Sequence, residues 1–156
     1  MRISSMTRIK CTTAGLGLML ALTLASCSTV STQAINDQVI EPTTLSSGAL
    51  AQITPGHPTS GTAKLIKLAD GSYVARFENL STVGGPDVHV WASEGSDLSN
   101  SGTVGSSKYT DLGSIKSTNG NQNYVVALSA TEVGKIKSII IWCKSFSVAF
   151  GGATLK

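Results

Sequence analysis

A single all-β domain, a β-sandwich or barrel-like stack of antiparallel strands, is what this sequence predicts, and three observations predict it. Short runs rich in Val, Ile, Tyr and Thr are broken repeatedly by Gly or by Ser/Thr/Asn clusters, the punctuation of strands and turns. No long apolar pattern at helical spacing occurs in the part that follows the N-terminal segment. Two neighbouring runs also agree on an apolar face across an Asp-Gly turn.

That hairpin comprises residues 62–68 and 72–78, closed around Asp70-Gly71. Asp-Gly favours two-residue hairpin loops, in which both positions need positive φ. Pairing across such a loop places Ile66 and Leu68 with Tyr73, Ala75 and Phe77, and turns Lys67, Arg76 and Glu78 to the other face. Gly84-Gly85-Pro86-Asp87 reads as a turn entering a strand at 87–93, with Asp87 bonding its own turn backbone. Residues 93–107 are rich in Ser and Gly and poor in apolar groups, which predicts an exposed loop. Further strands are expected at 109–115, 123–128 and 136–143, with one or two more between 146 and 155. Residues 131–134 fit one helical turn, the polar cluster 119–123 reads as a turn, and Tyr124 and Trp142 are expected in or beside the core.

The segment before the domain reads as an address. Arg2, Arg8 and Lys10 precede an uncharged apolar run from Thr12 to Ala25. That run is shorter than the roughly 20 apolar residues a bilayer span needs and has the length of a signal h-region. It ends in Leu24-Ala25-Ser26-Cys27, which resembles a bacterial lipobox. Residues 1–26 are therefore expected to be a lipoprotein signal peptide, with Cys27 the lipidation site. Residues 27–47 would form a flexible tether rich in Ser, Thr, Gln and Asn, and residues 48–156 the domain. Acyl chains of the palmitate kind on Cys27 would hold the protein to a membrane without spanning it. This places it in the cell envelope, outside the cytoplasm. Ser28 is not the acidic residue that marks inner-membrane retention in some Gram-negative bacteria, so the outer membrane is the expected membrane there.

Charge excludes one class of partner. The chain holds 12 Lys+Arg against 9 Asp+Glu, but Arg2, Arg8 and Lys10 belong to the signal. The processed chain is neutral and carries no basic patch for nucleic acid. No Ser-His-Asp, paired-carboxylate or phosphate-cradling pattern stands out, so no enzyme with a complete active site of its own is expected.

Chemistry concentrates on Cys143, in Ile139-Ile140-Ile141-Trp142-Cys143-Lys144. With Cys11 and Cys27 in the N-terminal segment, it is the only thiol of the domain, left without an internal partner. On a regular strand it shares a face with Ile139 and Ile141 while Trp142 points the other way, the setting of an inert buried thiol. A reactive thiol or a cofactor ligand are the competing readings. His57, in Pro55-Gly56-His57-Pro58, and His89, on the strand Val88-His89-Val90-Trp91, complete a two-His, one-Cys inventory of the blue-copper kind. No Met remains in the processed chain as an axial ligand, and no Cys-x-x-Cys-His haem attachment occurs. No metal is assigned, and the cofactor, whether haem, copper or none, stays open.

Several motifs in order resemble a known family. They are His57 ahead of Gly61-Thr62-Ala63, Gly85-Pro86-Asp87 entering a strand, Leu112-Gly113 with Ile115-Lys116, Gly120 to Tyr124, Ile141-Trp142-Cys143, Phe146, and Phe150-Gly151 with Ala153 and Leu155. Together they resemble the DM-thirteen domain, which is associated with electron transfer. The resemblance implies a redox accessory in which Cys143 exchanges electrons with a protein partner or ligates a prosthetic group. The alternative is a non-catalytic binding or structural module of the envelope, with Cys143 as core packing.

Overall fold

The computed structural model describes residues 30–40 and 42–156; the signal, the lipobox, Cys11 and Cys27 lie outside them. The strands are β1 (Ile35–Asn36), β2 (Thr43–Ala49), β3 (Ala51–Gln52), β4 (Ser60–Lys67), β5 (Tyr73–Ser81), β6 (Val88–Ser93), β7 (Tyr109–Ser114), β8 (Asn119–Val125), β9 (Ser138–Cys143) and β10 (Val148–Thr154). Two short helices intervene, α1 (Ser101–Ser106) before β7 and α2 (Ala130–Val133) before β9. They form two five-stranded sheets, ordered β1-β8-β5-β4-β2 and β3-β10-β9-β6-β7. Among these strands every pairing is antiparallel except β1 with β8.

The inner faces meet in one core. Ala63, Leu65, Ala75, Phe77 and Tyr124 of the first sheet face Val88, Val90, Ile139, Ile141 and Cys143 of the second. Strand β9 is buried along its whole length, which explains its unbroken apolar run. Ile139, Ile141 and Cys143 enter the main core, while Ile140 and Trp142 join Trp91, Ala149 and Val104 in a second cluster on the outer side. Val104 belongs to α1, so residues 93–107 are a cover rather than the exposed loop expected from their composition. Asn100 caps α1, its Oδ1 accepting from the Thr103 amide at 3.0 Å.

The first hairpin forms one residue out of the expected register. Lys67 pairs with Tyr73, Leu65 with Ala75 and Ala63 with Phe77. The Leu68 amide donates to the Ser72 carbonyl and the Gly71 amide to the Leu68 carbonyl. Three residues therefore form the loop, and of these only Gly71 has positive φ (87°), as in a type I turn followed by a left-handed glycine. Asp70 Oδ1 accepts from the Ser72 amide at 2.9 Å and favours that turn. Because side chains alternate with period two, the extra loop residue turns β4 over. Leu65 and Ala63, not Ile66 and Leu68, share the core face with Ala75 and Phe77. Ile66 faces outward with Val74, yet both are buried. The chain at Val39 and Ile40 borders the same hollow as Val74 and Leu68.

Residues 30–40 and 42–47 are not the free tether expected. Strand β1 adds to the edge of β8, with Ile35 opposite Gly120 and Asn36 opposite Asn121. Asp37 Oδ2 accepts from Lys116 Nζ at 2.6 Å and from the Asn123 amide at 2.9 Å, and its carbonyl accepts from the Arg76 guanidinium at 2.8 Å. Strand β2 pairs with β4 over its length, and the chain crosses through Leu50 into β3 of the other sheet. The sheets are tied at this corner, where Ser47 and Lys156 exchange both backbone hydrogen bonds at 3.0 Å. A Cβ on Gly48 would run into the Thr154 carbonyl, so the close approach needs a glycine there. Residues 119–123 are likewise strand, not turn.

Candidate functional site

The site is built where β6 and β9 pair, with Val88 opposite Cys143 and His89 opposite Trp142. Alternation sends Val88 and Cys143 into the core and His89 and Trp142 to the outer side. Cys143 is 0% exposed, and its thiol donates to the Pro86 carbonyl at 3.0 Å. The next amide, of Lys144, donates to the Asp87 carbonyl at 3.0 Å. These two bonds clamp the Gly84–Asp87 turn over the sulfur. Asp87 sits at φ 54°, the conformation that lets the chain turn sharply into β6. Gly85 lies against the Phe150 ring so closely that a Cβ would overlap it.

On the outer side His89 is held between two carboxylates. Its Nε2 lies 2.9 Å from Asp87 Oδ1 and its Nδ1 lies 2.8 Å from Asp111 Oδ1. Ser114 Oγ approaches Nε2 at 3.3 Å, and Lys144 Nζ stands 3.5 Å from Asp111 Oδ2. An imidazolium would donate to both carboxylates at once. Partial burial pushes the Asp111 carboxyl up, but the His89 hydrogen bond, the Gly113 amide and the charges of His89 and Lys144 outweigh it. The carboxyl is held below its ordinary range. Asp87 thus bonds His89 rather than its own turn, which corrects the reading from sequence.

Beside this cluster runs a ladder of aromatic rings. Trp91 stacks on Tyr109 with centroids 3.7 Å apart and on Trp142 at 4.3 Å. Tyr109 is 43% exposed while both tryptophans are buried, and Trp91 Nε1 has no hydrogen-bond partner among the described residues. Sequence reasoning missed this ladder and Asp111. The alternation of His89 and Trp91 was visible, but their partners depend on β6 pairing with both β7 and β9.

A second polar group supports the core from below. Gln122, 0% exposed, donates to the Ser117 and Asn119 carbonyls at 2.8 and 3.1 Å and accepts from the Tyr124 hydroxyl at 2.6 Å. The Lys116 amide donates to that hydroxyl at 3.0 Å. Burial drives the Tyr124 phenol well above its ordinary range, so it stays a donor. The Gly120–Tyr124 motif is thereby a folding element: Gly120, at φ 98°, admits the Ile35 backbone, and Gln122 and Tyr124 close the interior.

The three sequence candidates do not converge. Cys143 faces the core, His89 faces outward from the neighbouring strand, and His57 stacks on Phe150 at 4.2 Å with Nδ1 3.2 Å from the Pro55 carbonyl. No group of three or more His, Cys, Asp or Glu able to hold a metal ion occurs among the described residues. A sealed thiol already donating to a carbonyl, walled by aliphatic side chains, does not fit a haem or a copper ion. Cys143 is also the one free cysteine among the described residues.

The family described as Electron transfer DM13 matches residues 52–155. No curated protein and no solved structure matches the chain.

Proposed function

This chain belongs to the Electron transfer DM13 family, and from that membership we propose a redox accessory domain whose working group is the Cys143 thiol, masked at rest. The observation that carries the reading is the position of the sulfur. It lies one hydrogen bond beneath a turn whose Gly84, Pro86 and Asp87 are exposed. Lifting that turn would expose the thiol without unpairing β9 from β10. The exposed Phe146, in the turn that follows β9, offers a partner an aromatic anchor nearby. The step is mixed-disulfide formation. The Cys143 thiolate attacks a partner's disulfide, a new S–S bond forms as the partner's breaks, the thiol proton passes to water, and the partner's second sulfur leaves as thiolate. No metal or haem takes part in this reading. The protein would work outside the cytoplasm, held to a membrane by acyl groups on Cys27.

A second reading is favoured by the complete burial of Cys143: a binding or structural module of the envelope in which the thiol only packs. Thiol labelling separates the two. Under the redox reading, the native chain reacts with a small aromatic disulfide reagent at a rate set by local opening. Replacing Pro86 by Gly, which loosens the turn, should accelerate labelling roughly tenfold or more while the denaturation midpoint shifts far less. Labelling that occurs only with global unfolding, with the same denaturant dependence, assigns Cys143 to packing.

A further inference from the structure

At the end of the sandwich away from the Gly84–Asp87 turn, the sheets part around α2 and leave a cleft of about 530 Å³, within the range of small-molecule sites. Its floor is apolar, formed by Leu65, Val133, Ile136 and Leu155, all buried. Leu45 stands at the lip, 46% exposed, one of the few large apolar side chains left in solvent. Three lysines, Lys67, Lys137 and Lys156, are the charged residues of the lining, and no Asp or Glu belongs to it.

The distribution of these charges is uneven. Lys64, Lys108, Lys116 and Lys144 each form an ion pair. Lys67, Lys135, Lys137 and Lys156 form none among the described residues, and three of these four line the cleft. Glu132, the nearest acid in the sequence of α2, is bound within its own helix by the Ser129 capping box and borders a different hollow. An apolar trough rimmed by lysines that form no ion pair among the described residues is complementary to a molecule with an apolar body and an anionic head.

We propose that this cleft binds a single-chain anionic amphiphile of the long-chain fatty-acid class, its chain along Leu65, Val133 and Leu155 and its carboxylate among Lys67, Lys137 and Lys156. The site shares no residue with the Cys143 region and does not depend on the redox reading.

The test is titration of laurate, below its micelle threshold, into the full chain, read by calorimetry and by displacement of a fluorescent fatty acid. Dodecyl phosphate and dodecanol serve as a second anion and an uncharged control. Laurate and dodecyl phosphate should bind saturably, with dodecanol weaker by roughly tenfold, as expected for losing contacts to several partly exposed cations. Lys67→Gln and Lys137→Gln, both at exposed positions, should each weaken laurate about threefold and leave dodecanol unchanged. Ala130→Trp, also exposed and lining the cleft, should block all three ligands while the melting temperature holds. Equal affinity for dodecanol, indifference to the lysine changes, or absence of saturable binding would each overturn the proposal. So would adsorption to phosphatidylglycerol vesicles that laurate does not compete away, which would assign the lysines to a membrane surface instead.

Discussion

Phe77→Ala tests how the two sheets hold together. Phe77 is 1% exposed and lies between Ala63 of β4 and Gln122 of β8. Its ring meets Tyr124 edge-on, centroids 5.8 Å apart. Truncation to alanine removes the ring from a site flanked by backbone on both sides, so little collapse is available to fill the void. Large aromatic truncations of this kind cost ~3–5 kcal/mol, and the lost edge-to-face contact, about 1 kcal/mol, places this one in the upper half. With an unfolding entropy near 2 cal/mol/K per residue, a loss of ~4 kcal/mol lowers the melting temperature of a domain this size by roughly 15 °C. Urea unfolding followed by the emission of Trp91 and Trp142, both buried in the second sheet, reads the change from the opposite side of the core. Phe77→Leu should recover more than half of the loss. A change below about 1 kcal/mol for Phe77→Ala would refute the two-sheet core as described.

Other expectations follow from the polar groups. Gln122→Leu leaves the Ser117 and Asn119 carbonyls and the Tyr124 hydroxyl short of partners in the interior, and should cost ~2–4 kcal/mol in urea unfolding. Gly85→Ala forces a methyl against the Phe150 ring and should cost ~1–3 kcal/mol by overpacking. Asp37 is held below its ordinary pKa by the Lys116 hydrogen bond first, then by the Asn123 amide. A depressed carboxylate contributes stability above its unfolded pKa and loses it as pH falls through the folded value. Hydrogen-exchange protection of the Asn123 amide should therefore fall in acid, below about pH 4, and Asp37→Asn should flatten that dependence. A protection profile in Asp37→Asn that still falls in acid would remove Asp37 as its origin.

The all-β class and most strand positions were legible because β-rich runs and glycine punctuation are local properties. The face of Cys143 was legible too, since Ile139, Ile141 and Cys143 share a period that needs only a regular strand. Register was not. Asp70-Gly71 supports a two-residue or a three-residue loop, and a hydrogen bond from Ser72 to Asp70 helps decide it, turning Ile66 and Leu65 over. The polar run 30–47 carries no apolar pattern that announces a strand. Ile35–Asn36 and the stretch from Thr43 become strands because β8 and β4 present open edges, whose unpaired amides and carbonyls accept them. His89, Asp87 and Asp111 come from two strands and a turn, and the lysines of the cleft from the end of β4, the residue before β9 and the chain just beyond β10. Alternation along one strand says which way a side chain points, whereas what it meets depends on which strand lies beside it. That choice belongs to the packed sheets.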